Sequence, residues 1–210
     1  MANHSVEFAS LLCSRLCHDL LSPVGALNNG IELLADETDP EMRARCLELL
    51  AESARASANK LKFFRLAFGA AGGFADVVDT REAKGAIEGL FGPEGRIQLG
   101  WLVSEPAMSK GAIKILLNLS LIAADALVRG GRLDVGVEGG EIVVRAEGPR
   151  LVLDPELRDA LLGKLGDDGI TPRAAAAWLV HCLATDMHGE IQISEPEEGV
   201  LLFGAILPES

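Results

Sequence analysis

The sequence predicts an α+β chain: an N-terminal antiparallel helical hairpin that pairs with a second copy into a dimeric four-helix bundle, then a two-layer α/β sandwich. Three observations predict it. Two long runs at the start repeat apolar residues at steps of three and four, the period of one helix face. The segment Gly69-Ala70-Ala71-Gly72-Gly73 then marks a boundary between a domain of residues 1–70 and one of residues 74–210. Beyond it, helical segments alternate with short strands, several of them hairpin-connected, and such elements bury their apolar faces by stacking helices on one sheet.

In the first run, residues 5–35, the stripe is Leu16, Leu20, Val24, Leu27, Ile31 and Leu34. Asp39 supplies an N-cap and Pro40 the favoured N1 residue of a second helix over 40–68. Its series Leu47, Leu50, Ala54, Ser57, Leu61, Phe64, Phe68 alternates steps of three and four, a heptad-like seam. The short turn makes the pair antiparallel, and two helices alone cannot bury both stripes, so a homodimer is expected. In the second domain the expected elements are a helix over 80–91, a strand over 96–103, and an apolar helix capped by Ser109 and stopped at Gly130-Gly131. Strands over 132–138 and 141–146 follow, joined by the turn Gly139-Gly140. Helices over 155–162 and 172–187 and strands over 190–194 and 200–207 close the chain.

Composition limits the function. Among 210 residues, 49% are apolar, enough for real cores, yet no uncharged stretch approaches the ~20 apolar residues of a membrane span. The formal net charge of −12 argues against nucleic acid and against anionic lipid. The N-terminus lacks the basic head and apolar core of a signal peptide, and Cys13, Cys17, Cys46 and Cys182 lack paired disulfide spacing, so a cytoplasmic location is expected. Cys13 and Cys17 read as small core cysteines; no metal site is evident from spacing.

His18 is the residue with chemical promise. It lies roughly 200° from Leu16 and Leu20 around the helix, so it points away from the stripe. A neutral imidazole is nucleophilic near pH 7. Asp19 can accept from a ring N–H and fix its tautomer, and Arg15, three residues earlier, can offset phosphoryl charge. Pro23 lacks an N–H and crowds the Asp19 carbonyl, so a kink is expected just below His18. Leu21, Ser22, Gly25 and Asn29 fall near the same face; Gly25 allows close approach of a partner helix and Leu21 offers it an apolar side chain. Lys60, Lys62 and Arg65 read as a solvated face of the second helix. His181 reads as packing, and Gly189 as the C′ residue of a helix end beside His188.

The run His18-Asp19-Leu20-Leu21-Ser22-Pro23 resembles the H-box of sensor histidine kinases, where the phosphoaccepting His sits on the first helix of a dimeric hairpin. The second domain resembles their ATP-binding domain in layout but lacks its nucleotide signatures. Asn118 matches the first Asn of the N-box, and Ile122 stands where the magnesium-binding Asn belongs. Ala146 replaces the adenine-binding Asp, and Arg150 the second Gly of the following turn. The segment Pro172-Arg173-Ala174-Ala175-Ala176 occupies the second glycine-rich box without a Gly. A phosphate cradle needs close backbone approach and open N–H groups. An intact H-box beside such a domain, together with the run from Cys17 to Gly30 and Ala67-Phe68-Gly69-Ala70, resembles the ChpT-type bacterial histidine phosphotransferases over nearly the whole chain.

That resemblance implies a phosphorelay shuttle. His18, with Asp19, Arg15 and Ser22 around it, would exchange a phosphoryl group between the receiver domain of a hybrid histidine kinase and receiver domains of response regulators. No cofactor is implied for this chain, because magnesium is expected from the receiver. Two other readings stay open on the residues: a divergent ATP-binding kinase, and a scaffold that docks receivers without accepting phosphate.

Overall fold

The computed structural model describes residues 2–69, 76–92, 95–166 and 169–208, with side chains from residue 6 onward. The expected boundary at 70–73 lies outside the described residues. No helix among those described is long and apolar enough to cross a membrane.

Helices α1 (Ala2–Asp36) and α2 (Pro40–Ala67) form the hairpin. The turn is held from both sides. Asp39 accepts from the backbone N–H groups of Glu41 and Met42 at 3.0 and 2.9 Å, satisfying two orphan donors of α2. Arg43 donates to the carbonyls of Leu34 and Glu37 at 3.0 and 2.7 Å, taking up the end of α1. Midway, Gly30 lets the helices close: a Cβ there would stand 2.8 Å from Leu50 Cδ2. The helix assignment runs unbroken through Pro23. The Asp19 carbonyl that Pro23 leaves without a helical donor accepts from Lys60 Nζ at 2.8 Å. Lys60 is therefore half-buried between the helices, which corrects its reading as part of a solvated face.

The apolar stripes divide. On α1, Leu16, Leu20, Leu27 and Leu34 are half-buried, while Val24 and Ile31 are exposed. On α2, Leu47, Ala54 and Leu61 are exposed, whereas Phe63, Phe64, Leu66 and Ala67 are buried in the core of the second domain. Buried Asn118 ties that end down by donating to the Ala67 carbonyl at 3.1 Å and to the Lys114 carbonyl at 2.8 Å. The upper part of α2 thus belongs to the same core as the sheet.

The second domain opens with β1 (Val77–Asp79) and α3 (Thr80–Phe91), capped by Asp79. Next come β2 (Ile97–Val103), β3 (Ala107–Ser109) and α4 (Lys110–Ala126), whose cap is Ser109. The chain continues through β4 (Gly131–Glu138), β5 (Glu141–Glu147), α5 (Pro155–Leu161), α6 (Ala175–Asp186), β6 (Glu190–Ile193) and β7 (Val200–Ile206). The main sheet has the order β2-β4-β5-β7-β6, with β2 and β4 parallel and every other pair antiparallel. Alternate residues Leu133, Val135, Val137 on β4, Ile142, Val144, Ala146 on β5 and Leu201, Phe203, Ala205 on β7 are buried against the helical layer. Gly139 and Gly140 both have positive φ, as the two-residue β4–β5 turn requires.

Four details differ from expectation. The ribbon of β1 with β3 carries no sequence signal, being three residues a strand. Helix α4 stops at Ala126 rather than at Gly130, because Leu127 leaves the helix to bridge Leu151. Helix α6 starts at Ala175, since Ala174 N–H turns back to the Thr171 carbonyl at 3.0 Å. At its other end His188, with φ 57°, takes the left-handed position, and Gly189 N–H reaches back to the Ala184 carbonyl at 2.7 Å.

Candidate functional site

The site lies on α1 where the hairpin meets the second domain. The His18 side chain is 85% exposed, as its position opposite the stripe predicts. Its Nδ1 stands 3.2 Å from Asp19 Oδ1. A carboxylate only accepts, so the ring proton sits on Nδ1 and the lone pair on Nε2 faces solvent.

Asp19 is itself held. Its Oδ2 accepts from Arg15 Nε at 2.8 Å, and its side chain is only 19% exposed. Arg15 does not lie open beside His18 as the spacing suggests: its side chain is 14% exposed and turned into the domain junction. There Nη2 donates to Asp125 Oδ2 at 3.1 Å and Nη1 to the Arg173 carbonyl at 3.4 Å. Burial works against the Arg15 charge, but hydrogen bonds and charge from Asp19 and Asp125 outweigh it and raise the pKa above the ordinary guanidinium value. Enclosure pushes the Asp125 carboxyl above the usual carboxylate range, against the opposing pull of Arg15. Four groups from two domains thus form one chain, Asp125–Arg15–Asp19–His18.

A cleft of ≈ 510 Å³ opens beside His18, walled by Asp19 and Asp125 and by the turn 171–173. Arg173 stands there with its guanidinium paired to Asp154 at 2.9 Å. Leu21, at 69% exposed, and Ser22 and Asn29 are open to solvent on the His18 side of α1. Gly25 lies among them with nothing within 4 Å of the position a Cβ would take, so no packing inside this chain requires glycine there. Cys13 and Cys17 are exposed rather than in a core, because they lie on the open face of α1. Among the described residues no group of His, Cys, Asp or Glu is gathered to hold a metal ion.

The positions aligned with nucleotide ligands lie elsewhere. Ile122 and Ala146 are buried in the helix–sheet core, and the amide of Asn118 is committed to two carbonyls. His181 lies tilted against Trp178 at 5.2 Å between ring centres, beneath Gly163. Sequence reasoning missed Asp125, Lys60 and the turn 171–173. Asp125 did carry a signal: it is the single carboxylate in an otherwise apolar and basic α4.

A helical hairpin presenting an exposed, oriented histidine, fused to a helix-on-sheet domain in which Ile122 and Ala146 are core side chains, defines a histidine-presenting protein of phosphotransferase type. Comparison with known proteins agrees. The profile of the histidine phosphotransferase C-terminal domain matches residues 80–199. The protein phosphotransferase ChpT of Brucella abortus (strain 2308) is 40% identical over 135 residues, 64% of this chain and 63% of that one. A solved bacterial phosphotransferase superposes with a TM-score of 0.83 at 32% identity, covering 95% of this chain and 96% of the other. The chain belongs to the histidine phosphotransferase family.

Proposed function

We propose that this chain is the histidine phosphotransferase of a bacterial phosphorelay, moving a phosphoryl group between the receiver aspartate of a hybrid histidine kinase and the receivers of response regulators. The carrying observation is the geometry of His18: exposed, with Nδ1 tied to a half-buried carboxylate and Nε2 open. The Nε2 lone pair attacks the phosphorus of a receiver's aspartyl phosphate. The N–P bond forms as the P–O bond breaks, and its electron pair leaves with the aspartate carboxylate. The ring, still protonated at Nδ1, gains positive charge, which Asp19 offsets. The reverse steps deliver the group to a second receiver. Such transfer asks chiefly for in-line positioning and charge stabilisation, and the receiver would bring the magnesium.

The same reading takes the chain as a cytoplasmic homodimer without a nucleotide site. Its receivers dock on the α1 face of Leu21, Ser22, Gly25 and Asn29. The relative in Brucella abortus carries the name of a protein phosphotransferase, which supports this assignment over a kinase or an inert scaffold.

The test mixes the protein with a receiver domain charged with radiolabelled phosphate. Label should move onto the chain, be lost in acid and survive in base, as phosphohistidine does. No transfer from any receiver of the source organism would refute the reading. Docking is probed separately with Gly25→Glu, which adds bulk and negative charge beside an acidic receiver site. Because the Cβ meets nothing within the chain, the fold should persist while transfer falls at least about tenfold, a loss of some 1.4 kcal/mol in transition-state binding. Unchanged kinetics across receiver concentrations would place the docking face elsewhere.

A further inference from the structure

Asp19 has two oxygens and two suitors. Arginine prefers to grip a carboxylate with the parallel fork of Nε and Nη2, which occupies both oxygens. In this protein the fork is split. Nε goes to Asp19 Oδ2 at 2.8 Å, while Nη2 goes to Asp125 Oδ2 at 3.1 Å, and that split leaves Asp19 Oδ1 aimed at Nδ1 of His18 at 3.2 Å with no arginine N–H sharing it. Asp125 comes from α4, so the second domain, which also offers the Arg173 carbonyl to Nη1 of Arg15 at 3.4 Å, reaches the group behind the phosphoacceptor.

We propose that Asp125 is a positioning residue for phosphotransfer: by occupying Nη2 of Arg15 it keeps the Arg15–Asp19 pair single-pronged and so holds the Asp19 carboxylate on Nδ1 of His18. This rests on the phosphotransfer reading of the site. It also supplies a physical reason for a second domain whose nucleotide positions are filled by Ile122 and Ala146. Without Asp125, Arg15 is free to close its fork on Asp19, which turns Oδ1 toward Nη2 and weakens the bond that selects the tautomer of the imidazole.

Stability points the same way. The Asp125 carboxyl is raised chiefly by enclosure, despite the charges of Arg15 and Arg173. An acid whose folded-state pKa is raised contributes stability at low pH and loses it as the pH climbs through that raised value. The Asp125 side chain is still 50% exposed, so solvent screens that loss, and Asp125→Asn should unfold close to the temperature of the wild type.

The experiment uses the full chain as Asp125→Asn and Asp125→Glu. Imidazole nitrogen shifts of His18 should show the Nδ1–H tautomer dominant in the wild type, depleted in Asp125→Asn and restored in Asp125→Glu. With a receiver domain charged by acetyl phosphate, Asp125→Asn should lower the maximal transfer rate by about 10–100-fold, the usual weight of a group that orients a working imidazole from behind, with little change in KM. Unchanged nitrogen shifts in Asp125→Asn would overturn the proposal. So would a rate loss confined to KM, which would make Asp125 a receiver contact. The nitrogen shifts need no partner, so they judge the positioning even if the wild type accepts no phosphate and the functional reading fails.

Discussion

His18→Ala should abolish acid-labile labelling by a phosphorylated receiver while the protein still folds as the wild type does. The effect on transfer is total because no other group replaces the Nε2 lone pair. The effect on the fold is small because the ring is 85% exposed and held by one bond, to Asp19. Surface substitutions of this kind stay within about 0.5 kcal/mol, which for a chain of this size moves the thermal midpoint by no more than about 2 °C. The measurement is receiver-driven labelling beside a thermal unfolding curve. Among the three histidines with described side chains, His18 alone has a carboxylate on its ring; His181 lies tilted against Trp178, and His188 sits in the turn after α6. The side chain of His4 lies outside the described residues. Acid-labile label surviving in a folded His18→Ala variant would move the acceptor to one of these.

What the sequence revealed of this site, and what it hid, follows from the range of the interactions. The orientation of His18 is a local property: helical geometry at 100° per residue places it opposite Leu16 and Leu20 without reference to anything else. The partnership with Asp19 is equally local. Arg15 was legible as a neighbour but not in its role, because its second partner stands 110 residues away on α4 and only the tertiary fold brings the two together. Lys60 illustrates the same limit. Its spacing on α2 suited a solvated face, yet the carbonyl that Pro23 strips of its donor lies across the hairpin and claims the ammonium group. The fold divided along similar lines. Long periodic helices and the Gly139-Gly140 hairpin announce themselves. The three-residue strands β1 and β3 are too short to establish a period, and the split of the α2 stripe into an open lower part and a buried upper part depends on where the sheet domain docks.

On the homodimer proposed above, Leu61→Glu should yield a folded monomer. In a single protomer, Cys13, Cys17, Val24 and Ile31 form an exposed stripe on α1, with Ile31 57% exposed, and Leu47, Ala54 and Leu61 form another on α2, with Leu61 51% exposed. On each helix the exposed stripe is turned by roughly 80° from the half-buried one, in the same rotational sense. Antiparallel helices rotate in opposite senses when viewed from one end, so equal offsets bring both stripes onto one side of the hairpin. The result is a continuous apolar face, and a two-fold copy would cover it as a four-helix bundle does. Covering the exposed half of each Leu or Ile contributes about 1–1.5 kcal/mol. Symmetry doubles any insult: a single Glu at position 61 places two carboxylates in the seam, each without a partner, at a cost of several kcal/mol apiece. The protomer is spared, because Leu61 is open within it. Leu50→Glu makes the contrast. Leu50 closes on Gly30 inside the hairpin, so a charge there should unfold the helices as well as separate the chains. Sedimentation and circular dichroism distinguish the two outcomes: a smaller species with wild-type helicity for Leu61→Glu, and lost helicity for Leu50→Glu. A wild-type chain that sediments as a folded monomer at micromolar concentration would refute the dimer and leave the apolar face needing another partner.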